Sequence, residues 1–111
     1  MQSLQIDAVT KYIEFQTDAI WTKGDGSNHP CCFLVMELIE GVELIDFFNA
    51  AKPNDERYLR YIFLQIASSL HRLHSSGVAH RDIKPENIML TDSFDIKLID
   101  LGYGINLSGN L

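Results

Sequence analysis

The chain has 111 residues, of which 46% are hydrophobic, and its formal net charge is −6 at pH 7. This length fits one domain, and the hydrophobic content excludes a disordered chain. The acidic balance gives no support to nucleic-acid binding, which usually shows a basic patch. The longest apolar stretch, 31–36, is too short to cross a membrane, and no secretory signal precedes it. We therefore expect a soluble, intracellular, cytoplasmic protein without nucleic-acid or membrane partners.

The N-terminal third predicts a β-hairpin. Segment 9–15 mixes β-branched and aromatic residues, and segment 19–22 continues this strand-like pattern. A dense turn signal at 23–28 separates it from a second, almost wholly apolar strand at 31–37. We expect the second strand to be buried on both faces. The adjacent Cys31 and Cys32 are interpreted as small hydrophobic residues of that buried strand, because a metal site would need spaced ligands.

Two helices are predicted next. Segment 42–51 favours a short helix that ends before Pro53, and Asn54 or Asp55 is a suitable cap for a second helix. In this second segment apolar residues recur at three- and four-residue spacing, which is typical of a helix with one buried face. They are Leu59, Ile62, Phe63, Ile66, Leu70 and Leu73. The helix should end near residues 75–76, with Gly77 as its C-cap.

Short apolar runs at 78–80, 88–90 and 96–99 predict strands in the last third of the chain, with a turn at 91–95. A hairpin followed by helices and short strands indicates a mixed α+β domain.

A polar loop lies between the first two of these runs, and its residues are His80-Arg81-Asp82-Ile83-Lys84-Pro85-Glu86-Asn87. Asp100 follows the last run, so strands that return together would bring Asn87 and Asp100 into one pocket. Such oxygen donors suit Mg²⁺, which takes few protein ligands. Lys84 would supply a positive charge for a developing phosphoryl charge, and Asp82 would be free to receive a proton.

The polar loop resembles the catalytic loop of eukaryotic protein kinases, and Asp100-Leu101-Gly102 resembles their metal-binding triplet. The position of Lys84, two residues after Asp82, resembles the serine/threonine branch of this family rather than the tyrosine branch. Segment 33–41 resembles the strand and hinge that join the two kinase lobes. The resemblance implies a single partial kinase domain over 1–111, with the N-lobe hairpin and hinge at about 9–39 and the start of the C-lobe at about 40–111.

The resemblance also implies roles for individual residues, with ATP and Mg²⁺ as cofactors and a protein as substrate. Asp82 would accept the proton of the substrate hydroxyl, Lys84 would touch the transferred phosphoryl group, and Asn87 and Asp100 would hold Mg²⁺. His80 and Leu101 would pack in the internal spine, where Leu101 replaces the commoner phenylalanine.

A further set would contact the adenosine of ATP: Met36 as gatekeeper, Glu37 and Ile39 through backbone groups, Glu43 at the ribose, and Met89 as the floor under adenine. Several of these residues also have plain structural interpretations. Asp82 could be a turn residue, Met36 and Met89 could be core filler, and Glu43 could complement a helix dipole.

Two kinase features are absent from the 111 residues: a Gly-x-Gly-x-x-Gly loop and a lysine-bearing strand for the α/β-phosphates. The activation segment is also incomplete after Gly102. We therefore expect a truncated ATP-dependent serine/threonine kinase domain that is weakly folded and has little or no activity alone. The alternative is an inactive pseudokinase-like module that binds a protein partner over its exposed core. A metal-dependent hydrolase would not explain the hinge-like segment or Lys84.

Overall fold

A computed structural model describes residues 7–52 and 54–107. In chain order the elements are β1 (Tyr12–Thr22), β2 (Asn28–Met36), β3 (Gly41–Glu43), α1 (Leu44–Ala51), α2 (Glu56–Ser75), β4 (Val78–Ala79), a 3₁₀ turn (Pro85–Asn87), β5 (Ile88–Thr91), β6 (Ile96–Leu98) and β7 (Ile105–Asn106). They form three antiparallel sheets, β1-β2, β3-β5-β6 and β4-β7. The predicted α+β class is confirmed.

The predicted hairpin is present, but its burial differs from the expectation. β1 and β2 pair from Tyr12 opposite Met36 to Thr22 opposite Asn28. Every residue of β2 except the half-buried Cys31 is exposed, so the predicted burial on both faces is wrong. Cys32 is exposed as well. The physical reason is that, among the described residues, β1 and β2 contact mainly each other, and a two-stranded sheet cannot cover its own faces.

The core lies between the three-stranded sheet and the two helices. Buried and partly exposed residues alternate along β5 and β6, and β5 lies against α1 while β6 lies against α2. The buried hydrophobic residues are Val9, Leu44, Ile62, Ile66, Leu73, Ile88, Leu90, Ile96 and Leu98. Val9 joins this core because residues 8–10 run parallel to β6: the Leu98 N–H donates to the Ala8 carbonyl and the Thr10 N–H donates to the Leu98 carbonyl.

The first helix begins later than predicted. Residues 41–43 are not helical, because they form β3 and pair with β5, and α1 begins at Leu44. Gly41 allows this close pairing, since a Cβ atom there would collide with the Leu90 carbonyl oxygen. The helix ends at Ala51, before Lys52 in the left-handed region. Pro53, predicted to follow the helix end, lies outside the described residues.

The second helix has the predicted limits. Asp55 caps it and accepts a hydrogen bond from the Arg57 N–H at 2.9 Å. The predicted C-cap Gly77 is wrong by one residue, because Ser76 is the C-cap and Gly77 follows it with φ of +80°. Phe63, expected on the buried face, is 59% exposed, because the buried stripe is centred on Ile62 and Ile66. Among the described residues, no helix combines the length and the apolar character needed to cross a lipid bilayer.

Candidate active site

His80 anchors the start of the polar loop. Its side chain is buried, its Nδ1 accepts a hydrogen bond from the Asp82 N–H at 3.2 Å, and its Nε2 lies 2.7 Å from the Ile99 carbonyl oxygen. Because a carbonyl oxygen can only accept, Nε2 is the donor in this contact. His80 therefore connects the beginning of the loop to the end of β6 and sets the position of Asp82.

Three of the predicted catalytic and metal-binding residues meet at the Asp82 carboxylate. Asn87 donates through Nδ2 to the Asp82 carbonyl at 2.9 Å and to Asp82 Oδ2 at 2.8 Å. Lys84 Nζ lies 3.7 Å from the same Oδ2. The 3₁₀ turn brings them together, since the Asn87 N–H donates to the Lys84 carbonyl. The carboxylate is thus held by a buried amide on one side and flanked by a half-exposed ammonium group.

Asp100 lies at the adjacent strand end. The Ile99 N–H donates to the Asn87 carbonyl at 3.0 Å, which extends the β5–β6 pairing by one residue beyond Ile88 and Leu98. Asp100 follows directly, is exposed, and has a φ of +60°. Its Oδ1 accepts from the Gly102 N–H at 3.1 Å, and no described hydrogen bond or ion pair joins it to Asp82, Lys84 or Asn87.

Asn87 and Asp100 each keep an oxygen atom that could bind a divalent cation. Both hydrogen bonds of the Asn87 amide use Nδ2, so its Oδ1 remains an oxygen donor. Asp100 accepts one bond at Oδ1, which leaves its second carboxylate oxygen. Two such ligands, completed by water and phosphate oxygens, are what Mg²⁺ usually takes from a protein. Among the described residues, no group of three or more His, Cys, Asp or Glu side chains could hold a metal ion.

The segment after Asp100 is held by contacts from two directions. The Leu101 N–H donates to the Tyr12 hydroxyl at 3.2 Å, which connects the triplet to β1. Arg81 has a φ of +67°, and its Nε donates to the Tyr103 carbonyl at 2.6 Å. Leu101 is half-buried and packs against the core, as the sequence predicts. The polar loop and the segment Asp100-Leu101-Gly102 therefore contact each other, and this segment also contacts the hairpin.

The residues predicted for adenosine come from the hinge and from one face of the three-stranded sheet. Glu43, Met89 and Lys97 are direct cross-strand neighbours, so their side chains share the face opposite the core. At the hinge, the Glu37 N–H donates to the Lys11 carbonyl at 2.9 Å. The Glu37 carbonyl and the Ile39 N–H enter none of the hydrogen bonds among the described residues. Both groups are therefore available to a ligand.

Met36 is the last residue of β2, just before the hinge, and its side chain is exposed. It lies opposite Tyr12 in the hairpin. Its predicted role as gatekeeper, like the other adenosine contacts, stays a prediction.

The sequence reasoning missed the side-chain contacts of Glu37. Its Oε1 accepts from the Lys11 N–H at 3.0 Å and from Lys97 Nζ at 3.1 Å. The hydrogen bond from the Lys11 N–H, followed by the interaction with Lys97, lowers the pKa of Glu37 below its ordinary value. The contact of Tyr12 with Leu101 was also missed. Lys97 and Glu37 are 60 positions apart and Tyr12 and Leu101 are 89 positions apart, so local patterns carry no signal for either contact. The one available signal was a lysine inside an otherwise apolar strand.

Comparison with known proteins identifies the family. The sequence profile described as "Protein kinase domain" matches residues 1–110. The chain belongs to the protein kinase domain family.

Its relatives include proteins named as serine/threonine kinases. The chain is 46% identical over 70 residues to serine/threonine-protein kinase cds1 of Schizosaccharomyces pombe, covering 63% of this chain and 15% of the relative. It is 35% identical over 99 residues to serine/threonine-protein kinase PknL of Mycobacterium tuberculosis, covering 89% of this chain and 24% of the relative. It is 40% identical over 79 residues to maternal embryonic leucine zipper kinase of Danio rerio, covering 71% of this chain and 12% of the relative. The chain thus spans less than a quarter of these relatives' length, and the predicted resemblance to a serine/threonine kinase catalytic domain is confirmed.

Proposed function

We propose that this chain supplies the hinge, the catalytic loop and the metal-binding triplet of an ATP-dependent serine/threonine protein kinase. The observation that carries the proposal is the hydrogen-bonded arrangement at Asp82, with Asn87 Nδ2 at 2.8 Å and Lys84 Nζ at 3.7 Å from one carboxylate oxygen. A solvated turn has no physical need for a carboxylate, an amide and an ammonium group at one point. The relatives' printed names support the same class.

In the proposed reaction the substrate hydroxyl gives its proton to the Asp82 carboxylate while its oxygen bonds to the γ-phosphorus of ATP. The bond from the γ-phosphorus to the bridging oxygen breaks, and ADP leaves. Asn87 fixes one carboxylate oxygen of Asp82, which leaves Oδ1 for the hydroxyl. Lys84 is half-exposed, so its ammonium can move to the transferred phosphoryl group.

Asn87 and Asp100 would hold Mg²⁺ through the oxygen atoms described above. When bound, Mg²⁺ neutralises part of the phosphate charge. Met36, Glu37, Ile39, Glu43 and Met89 would surround the adenosine, with the free backbone groups of Glu37 and Ile39 facing the base.

A protein partner covering the hairpin and the hinge is part of the proposal, since Ile20 and Leu38 are 70% and 89% exposed. We also propose an intracellular, cytoplasmic location, where ATP is available and the free thiols Cys31 and Cys32 stay reduced.

Calorimetry of Mg·ATP binding to the full chain tests this function. Mg²⁺-dependent binding that weakens at least about tenfold in Asp100→Asn, because a charged metal ligand becomes neutral, would support the proposal. Asp92→Asn is the matched control, since Asp92 is an exposed carboxylate in the β5–β6 turn, and it should bind like the wild type.

A folded chain that binds no Mg·ATP would contradict the nucleotide site. The exposed hydrophobic side chains of β1 and β2 would then favour the alternative, an inactive pseudokinase-like module that binds a protein partner.

A further inference from the structure

Lys97 lies on the sheet face where the proposed adenosine site is built. It is the middle residue of β6, between the buried Ile96 and Leu98, so it points away from the core. Its direct cross-strand neighbour is Met89, the proposed floor under adenine. Only 20% of its side chain is exposed, which is little for a lysine. The side chain therefore runs along the sheet face instead of extending into solvent.

The ammonium group of Lys97 ends at the hinge. Its Nζ lies 3.1 Å from Glu37 Oε1, and 26% of the Glu37 side chain is exposed. The same oxygen accepts from the Lys11 N–H, and the Glu37 N–H donates to the Lys11 carbonyl. Glu37 is thus fixed to the start of the hairpin by two hydrogen bonds and to the sheet by the third. Charge-assisted bonds that are partly shielded from water, as here, are stronger than fully exposed ion pairs.

We propose that Lys97 is a positioning residue that sets the distance between the hinge and the adenine floor by holding the Glu37 carboxylate. This inference rests on the proposed function, because it concerns the same nucleotide site. The Glu37 carbonyl and the Ile39 N–H can pair with a purine edge only if the hinge stays at a fixed height above Met89. Lys97 is the described side chain that joins these two parts by a charged contact.

The chemistry of the purines makes the proposal measurable. Adenine offers an amino group as donor where guanine offers a carbonyl oxygen as acceptor. A hinge carbonyl held in place therefore attracts adenine and repels guanine, whereas a loosened hinge discriminates less. Loss of Lys97 should weaken ATP binding more than GTP binding. A variant that merely loosens the fold would weaken both nucleotides together.

The experiment is calorimetry of Mg·ATP and Mg·GTP binding to the full chain carrying Lys97→Met, Glu37→Gln or both. We expect each single substitution to weaken Mg·ATP about tenfold and Mg·GTP less than about twofold, with the double variant no weaker than the singles because they share one contact. Lys97→Arg should retain the preference for ATP. The matched controls Arg60→Met and Glu40→Gln remove the same charges from exposed residues outside any described ion pair, and should bind like the wild type.

Equal weakening of the binding of both nucleotides, or no weakening of either, would overturn the role of Lys97. The proposed function would still stand if the wild type binds Mg·ATP. A wild-type chain that binds neither nucleotide overturns the proposed function and, with it, this inference. If Lys97→Met does not fold by circular dichroism, the comparison of Glu37→Gln with Glu40→Gln decides, since the amide introduced by Glu37→Gln keeps an acceptor for the Lys11 N–H.

Discussion

The hairpin strand β2 and the sheet strands β5 and β6 are all rich in apolar residues, but the hairpin and the sheet bury very different fractions of them. In β2, Phe33, Leu34 and Val35 are all exposed, although each would suit a core. In β5 and β6 alternate residues are buried because α2 and α1 lie against them. An apolar sequence therefore favours a strand, but a covering layer decides whether the strand is buried. The hairpin depends on its few connections to β6 and to the segment after Asp100.

The largest expected difference between the two regions is the loss of stability when one leucine in each is replaced by alanine. Leu98→Ala removes a fully buried side chain of β6 and should lower the free energy of unfolding by about 2–5 kcal/mol. Leu34→Ala in the exposed β2 should cost below about 1 kcal/mol. Urea titration separates them when far-UV circular dichroism follows the helices and the fluorescence of Trp21 follows the hairpin. Equal costs would mean that the hairpin is covered as well as the sheet.

A smaller effect is expected where the hairpin contacts the segment Asp100-Leu101-Gly102. Tyr12→Phe removes the hydroxyl that accepts from the Leu101 N–H, at a cost of about 1 kcal/mol. Hydrogen exchange should show faster exchange of the Leu101 amide, whereas the core amides of α2 keep their rates. Tyr103→Phe is the control, because its hydroxyl enters no described hydrogen bond. An unchanged Leu101 amide would show that the triplet is ordered without β1.

The smallest effect is the pH dependence of the Glu37 contacts. The lowered pKa of Glu37 means that its charged form stabilises the fold. This stabilisation is present above the ordinary value of 4.5 and is lost as pH falls through the lower pKa of the folded state. Glu37→Gln should therefore cost less than about 1 kcal/mol at neutral pH and nothing in strong acid.

Urea titrations of the wild type and Glu37→Gln at both pH values measure this difference, with Glu40→Gln as the reference for general charge effects. A cost that persists in strong acid would mean that the carboxylate charge is not what connects the hairpin to the sheet.

The sequence predicted the parts of the fold that local patterns determine. The limits of α2 followed from the Asp55 cap, the apolar repeat and Gly77, all close in sequence. The eight-residue loop predicted that Lys84 and Asn87 lie in one polar site, but not that both approach the Asp82 carboxylate. Contacts that depend on how distant segments pack, such as Lys97 with Glu37 and Tyr12 with Leu101, could not be predicted. Nor could the exposure of β2, because it depends on what lies over the strand.

The two-ended amide of Asn87 restricts how this site can change over evolutionary time. Its nitrogen end orients Asp82, and its oxygen end remains available for a cation. Aspartate at this position would lose the donor and place a second negative charge against the first. Leucine would lose both ends, and glutamine would carry the amide too far along a longer side chain. Under the proposed function, one substitution of Asn87 would therefore remove both the orientation of Asp82 and a metal ligand, and recovering them would require the reversal of that same step.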